Sequence, residues 1–419
     1  MFIYKVKEGD TLSKLEERFK INQINLITDN NLKVPYTLLV GQCLIIDVNR
    51  VDYIIKGGDT FLKLSSDFSL PIETIKKQNN VNSLTKGNRL IFKYPERKKY
   101  ECYINGYCYQ GLEENVLNKY ESFLSTISPF AYKIKADGTL DNFTYSNSIK
   151  NNKLDKVMVI ANIKEKGGFS NEIAHQVLSD KIKKSKLIKE CYEKVKKEKF
   201  KMLNIDFEYV NPEDKDLFID FITDMKAKLN EINIPLSVCL APKTSTFQKG
   251  QLYEAHDYQK IGNLVDYVII MTYEWGYTYG EPMAVAPLPQ VKDVIRYAKR
   301  VISKDKIIMG IPNYGYDWKL PYQKGTPANS LSINEANDLG IEEKVEIEHS
   351  KAYLSPYFNY QDSNNVKHVV HFDDACSYNE KLELVIKEEI GGISIWTITN
   401  TNIQLTKLID TYFIVKKIN

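Results

Sequence analysis

Leu203-Asn204-Ile205-Asp206-Phe207-Glu208-Tyr209 alternates apolar and polar residues. That period of two predicts a β-strand with Leu203, Ile205 and Phe207 on one face and Asn204, Asp206 and Glu208 on the other. Residues two apart on a strand lie roughly 6.5–7 Å apart at Cα. Two carboxyls at that spacing, out of bulk water, do not both ionise cheaply, so one is pushed towards its acid form. A proton donor beside an anion is what acetal hydrolysis needs. An edge strand with a wet polar face would give the same pattern, and the flanking sequence has to separate the two readings.

Strand patterns recur on both sides of this one, at 101–109, 124–132, 156–163, 235–241, 266–273, 306–314 and 392–398. Helical patterns lie between most of them. One is Pro212–Leu229, where Asn211 is a candidate cap and Pro212 falls in the first turn. Eight strands alternating with helices predict an α/β fold, a (β/α)8 TIM barrel over residues 98–419. The connection from about 320 to 385 is too long for one helix. It holds short strand patterns at Val345–His349, Tyr353–Tyr360 and Lys367–His371, which predict a small α+β insertion.

Composition narrows the function. With 57 Lys+Arg against 54 Asp+Glu and a net charge of +3, the chain lacks the basic excess of a nucleic-acid binder. No run of 18 apolar residues predicts a membrane span. The start, Met1-Phe2-Ile3-Tyr4-Lys5-Val6-Lys7-Glu8, is too charged for a signal peptide, so synthesis in the cytosol without the usual export route is expected. The six cysteines, Cys43, Cys102, Cys108, Cys191, Cys239 and Cys376, form no C-x-x-C pair and read as small buried apolar residues. Cys102 and Cys108, on one strand, would be roughly 20 Å apart and cannot bridge. The five histidines form no H-E-x-x-H motif; His368 and His371 read as sheet residues. No metal and no cofactor is expected.

A repeat opens the chain. Tyr4-Lys5-Val6-Lys7-Glu8-Gly9-Asp10-Thr11-Leu12 returns as Tyr53-Ile54-Ile55-Lys56-Gly57-Gly58-Asp59-Thr60-Phe61. Each copy predicts a β-α-α-β module, 1–49 and 50–97, followed by a polar link at Tyr94-Pro95-Glu96-Arg97-Lys98-Lys99. In Gly-Asp-Thr the glycine permits a turn and Asp or Thr caps the next helix. The copies resemble LysM, a module that binds N-acetylglucosamine in peptidoglycan and chitin. The resemblance implies that Gly9, Asp10, Thr11, Gly58, Asp59 and Thr60 border glycan sites. The turn alone would call for the same residues.

Aromatic residues gather where barrel strands end: Trp275, Trp318 and Trp396, with Tyr273, Tyr277, Tyr279, Tyr314 and Tyr316. Barrel active sites lie at those ends, and aromatic faces suit sugar rings. Core packing is the plainer reading of any one of them. Leu203–Glu208, Met271-Thr272-Tyr273-Glu274, Gly391-Gly392-Ile393-Ser394-Ile395-Trp396 and Ser128-Pro129-Phe130-Ala131-Tyr132 together resemble glycoside hydrolase family 18, the chitinase family. Ala241-Pro242-Lys243-Thr244, Glu274–Gly280 and Tyr314-Gly315-Tyr316-Asp317-Trp318 look most like its LysM-bearing branch, the cortical-fragment-lytic enzymes of bacterial spores.

That resemblance implies roles. Glu208 matches the general acid/base, Asp206 the residue that orients the substrate acetamido group, and Tyr273 the hydroxyl on its oxygen. Trp396 matches the floor under the reacting sugar. Asn204, Glu274, Trp275, Tyr316 and Asp317 are further candidates for substrate contact. The sequence departs from the family at three places: Lys201 and Asn204 stand where aspartates are usual, and Glu274 replaces Asp. Implied is a retaining, substrate-assisted β-N-acetylglucosaminidase of spore cortex peptidoglycan or its fragments, associated with the spore coat or cortex. A chitooligosaccharide hydrolase and a non-catalytic glycan-binding protein are the rivals. In each reading the partner is an N-acetylglucosamine-containing glycan, with no nucleic acid and no membrane.

Overall fold

The computed structural model describes residues 1–94 and 99–418; most of the predicted polar link lies outside the described residues. The repeat folds as two β-α-α-β units. In the first, β1 (Phe2–Lys5) pairs antiparallel with β2 (Cys43–Ile46) around α1 (Leu12–Phe19) and α2 (Gln23–Asp29). In the second, β3 (Arg50–Ile54) pairs with β4 (Arg89–Lys93) around α3 (Phe61–Phe68) and α4 (Ile72–Asn79). The Gly-Asp-Thr turns do the same work in both. Gly9 and Gly58 take φ of 75° and 85°, a region where L side chains are strained. The Thr11 and Thr60 hydroxyls accept from Lys14 N and Lys63 N and cap the helices. Asp10 accepts from Lys7 N at 2.9 Å and the Tyr4 hydroxyl at 2.6 Å; Asp59 accepts from Lys56 N at 2.7 Å and the Tyr53 hydroxyl at 2.8 Å.

The two units share one apolar core. Phe19 meets Phe68 edge-on at 5.7 Å, and Phe2 stacks on Tyr94 at 4.6 Å. The first unit is also docked on the rest of the chain. Leu39 packs with Ile333, Ile347 and Phe358. Gln404 Nε2 donates to Asn30 Oδ1 and to the Cys43 carbonyl, both at 2.9 Å. Cys43 and Cys376 form a disulfide, which corrects the reading of all six cysteines as isolated buried thiols; Cys102, Cys108, Cys191 and Cys239 are free and buried. The partners are 333 residues apart, so no local spacing could announce them.

The barrel wall is parallel. Its strands are β5 (Tyr100–Tyr109), β6 (Thr126–Phe130), β8 (Asp155–Ala161), β9 (Met202–Asp206), β10 (Leu236–Leu240), β11 (Tyr267–Ile270), β12 (Ile307–Pro312) and β18 (Gly392–Trp396). They pair in that order, and β18 closes on β5 with Gly392 opposite Tyr103. A short β7 (Tyr132–Lys133) pairs with β8, and β19 (Phe413–Val415) pairs with the start of β5. Outward residues such as Phe207 pack on helices: Phe207 stacks on Phe218 and Phe221 at 5.8 and 5.5 Å. Below the mouth the inner face is polar in part: Asn105 donates to Ser394 Oγ at 2.9 Å and accepts from Thr126 and Ser128. Before the helix Lys215–Asn230, Pro212–Asp214 forms a 3-10 turn, and the Asn211 side chain does not cap it.

The insertion is a five-stranded antiparallel sheet: β13 (Gly315–Leu320), β14 (Asn329–Leu331), β15 (Glu348–His349), β16 (Pro356–Gln361) and β17 (Lys367–His371), with the helix Ile333–Glu342. It begins at Gly315, closer to β12 than predicted. Tyr316, Asp317 and Trp318 therefore belong to the insertion's first strand. No helix among the described residues is long and apolar enough to cross a membrane.

Candidate active site

Strand β9 ends at Asp206, and Glu208 follows two residues later at the C-terminal mouth of the barrel. Two buried side chains hold the turn. Asn162, fully buried past the end of β8, accepts from Glu208 N at 3.0 Å and donates to the Glu208 carbonyl at 2.8 Å and the Ser170 carbonyl at 3.0 Å. His256 accepts from Ala241 N at 2.9 Å through Nδ1 and donates to the Phe207 carbonyl at 3.0 Å through Nε2. Burial lowers the pKa of His256 to about 4, so it stays neutral and keeps those two roles fixed. Neither residue was foreseen, since a lone Asn or His between patterned segments carries no sequence signal.

Burial raises Asp206 to about 7, with the Cys239 thiol partly opposing it. Its Oδ1 is buried and has no hydrogen-bond partner. Glu208 is raised well above the usual carboxylate range, first by burial, then by the charges of Asp206 and Glu274. A buried carboxylate pair of this kind titrates as a unit. Glu208 is thus held as an acid near neutral pH beside a neighbour poised to ionise.

Tyr273 follows β11 and reaches the same cleft. Gly310 makes room for it: a Cβ there would stand 2.7 Å from the Tyr273 ring. Burial raises the Tyr273 hydroxyl well above 10, so it remains a donor. Glu274 accepts from Tyr314 and, at 3.0 Å, from Tyr316. Trp396 closes the floor, edge-on to Phe130 at 4.7 Å and Tyr107 at 5.3 Å.

Together these residues line a cleft of about 620 Å³ with Asp206, Glu208, Tyr273, Glu274, Tyr316 and Trp396 on its walls. Phe130, Phe169, Leu252, Tyr253 and Tyr277 are among its other lining residues. A recess of about 170 Å³ adjoins, sharing Glu274, Tyr316 and Trp396.

Three candidates for substrate contact are not among the cleft-lining residues, and neither is the rim tryptophan Trp318. Asn204 is inside the barrel below Asp206; it donates to Ser237 Oγ at 2.9 Å and accepts from the Tyr107 hydroxyl at 2.8 Å. Asp317 is buried in the insertion, accepting from His368 and the Tyr360 hydroxyl at 2.8 Å each. Trp318 is 1% exposed and donates to the Gly280 carbonyl. Trp275 packs against the main core. Of the three rim tryptophans, Trp396 alone lines the cleft. Gly9, Asp10, Thr11, Gly58, Asp59 and Thr60 form two turns on the N-terminal units, distinct from the cleft.

Residues 99–400 match the family Glycosyl hydrolases family 18, and residues 4–47 and 53–91 match the LysM domain. The chain is similar to the cortical fragment-lytic enzyme of Bacillus subtilis (strain 168), with 33% identity across 100% of this chain and 99% of the relative. It is also similar to two solved structures. The spore cortex-lytic enzyme SleL of Bacillus megaterium QM B1551 is 34% identical with a TM-score of 0.86, covering 100% of this chain and 99% of that one. The Bacillus cereus SleL is 33% identical with a TM-score of 0.87, covering 99% and 98%.

Proposed function

The chain belongs to glycoside hydrolase family 18, and from that premise we propose that it is a retaining β-N-acetylglucosaminidase of spore cortex peptidoglycan or its fragments. The observation that carries the mechanism is the unpartnered, buried Oδ1 of Asp206 beside the acid Glu208. A buried acceptor without a donor is costly unless a ligand supplies one. The N–H of a 2-acetamido group supplies it.

The reaction then runs on the substrate's own amide. Glu208 gives its proton to the leaving glycosidic oxygen while the acetamido oxygen attacks the anomeric carbon. The nucleophile is already in the same molecule, which gives the high effective molarity of intramolecular attack. The positive oxazolinium lies against Asp206, whose ionised form accepts the N–H and faces the developing charge. The Tyr273 hydroxyl donates to the acetamido oxygen, and Trp396 supports the apolar face of the sugar. Glu208, now a carboxylate, takes a proton from the water that opens the oxazolinium. Two displacements at one carbon retain configuration. The LysM units hold the wall polymer through the Gly9-Asp10-Thr11 and Gly58-Asp59-Thr60 edges and raise its local concentration at the cleft.

Spore association follows from the cortex substrate. Mass spectrometry of products from cortex fragments and chitin oligomers, side by side, tests the reading. Faster release of N-acetylglucosamine-ended products from cortex fragments is expected. Preference for chitin oligomers would make the chain a chitooligosaccharide hydrolase instead.

A further inference from the structure

A second cluster of reactive side chains lies where the first LysM unit, the insertion and the barrel meet. Cys43 comes from β2, His349 from β15, and Asp374 and Cys376 from the start of the helix Ala375–Glu388. Their ligand atoms all lie within 4.8 Å of one another. His349 Nε2 is 3.4 Å from Cys43 Sγ and 2.9 Å from Asp374 Oδ2. The other Asp374 oxygen accepts from Ser377 N at 2.9 Å, which fixes the carboxylate's orientation. In this structure the two sulfurs are joined to each other.

We propose that, once the disulfide is reduced, Cys43, Cys376, His349 and Asp374 form a zinc site that clamps the first LysM unit to the catalytic body. Two thiolates, an imidazole and a carboxylate are the donor types that tetrahedral zinc takes. Cys376 stands in the first turn of a 14-residue helix, where the N-terminal dipole favours thiolate. Two thiolates and one carboxylate around a divalent ion leave one negative charge. Lys5, opposite Cys43 in the β1–β2 register and in charge interaction with Asp374, offsets it. Cys376 and His349 are only partly buried, so an ion has a way in. The site would hold the same junction in the reduced state that the disulfide holds in the oxidised one.

The steps balance. A phosphine and water reduce the disulfide to two thiols and leave phosphine oxide, a two-electron exchange. Zinc then displaces the two thiol protons. The test uses the full chain reduced with a water-soluble phosphine, equilibrated with zinc and desalted, with metal measured by mass spectrometry. About one zinc per chain is expected in the wild type, and loss of it in Cys43→Ser/Cys376→Ser and in His349→Ala. Cobalt in place of zinc should give thiolate-to-metal charge transfer in the wild type. Hydrolysis of a soluble fragment checks that each variant is folded. A reduced wild type that retains no zinc overturns the proposal whatever the variants do. Zinc retained equally by the double serine variant also overturns it, because the metal is then elsewhere.

Discussion

Asp206→Asn removes the charge nearest Glu208 while keeping the side chain's shape. Along the strand the two residues are about 6.6 Å apart. At an effective dielectric of about 20, one carboxylate at that distance raises the cost of ionising the other by about 2.5 kcal/mol. That is about a seventyfold change in proton affinity. In the variant, Glu208 stays buried but loses this repulsion, so it ionises at lower pH. The basic limb of kcat/KM reports loss of the acid's proton and should move acidward by about two pH units. The acidic limb, set by Asp206 at about 7, should vanish, since an amide does not titrate. Turnover should fall by about 10²–10³ with the loss of a preorganised electrostatic partner.

The same substitution changes stability, with a definite sign. Burial moves Asp206 from 3.8 to about 7, so the folded chain holds that proton more tightly than the unfolded one. The cost to the folded state is absent below the unfolded value, grows as pH rises, and is complete above about 7. It amounts to about 4 kcal/mol at pH 8 by proton linkage. A neutral amide in its place would not carry that cost. The variant should therefore melt higher than wild type at pH 8 and gain nothing at pH 4. The assay is a pH–rate series on a soluble N-acetylglucosaminyl oligosaccharide, with melting curves at both pH values. Superimposable pH–rate profiles would refute the coupling of the two carboxyls. An equal melting difference at both pH values would refute the burial argument.

Glu208→Gln should lose about 10²–10⁴ in rate while still binding fragments, because the amide cannot donate the proton; near wild-type turnover would remove Glu208 from the acid role. Asn162→Ala should lower kcat more than it raises KM, since it frees the backbone that aims Glu208; an unchanged kcat would make Asn162 a packing residue only. Deleting residues 1–94 should destabilise the catalytic body, because Leu39, Asn30 and Cys43 are built into its surface. A chain with the second LysM unit alone disabled, through Thr60→Ala and Asp59→Ala, should keep its activity on soluble fragments and act more slowly on insoluble cortex. Equal loss on both substrates would place that unit in catalysis or in folding.

The alternation at 203–209 located β9 and its two carboxyls because it is local: each residue's face follows from its neighbour's. All eight barrel strands were legible for the same reason. What was not legible depends on contacts distant in sequence. Nothing near Tyr314 marks that the chain leaves the barrel at Gly315, so Asp317 and Trp318 read as rim residues although they are buried in the insertion. Asn204 shares a face with Asp206, but one step further down the strand that face is barrel interior, where Ser237 and Tyr107 take its hydrogen bonds. The repeat read as two modules followed by a polar link, with no sign of docking. The docking of its first copy rests on Leu39, Asn30 and Cys43, whose partners lie about 300 or more residues away.

The central claim is that the substrate's acetamido group, not a second protein carboxylate, is the nucleophile against which Glu208 works. Proton NMR of the reducing end released in the first moments of hydrolysis, before mutarotation, reads this directly. The β-anomer should appear first, and a substrate without the 2-acetamido group should not be cleaved. Initial release of the α-anomer would mean a single inverting displacement and would contradict the account.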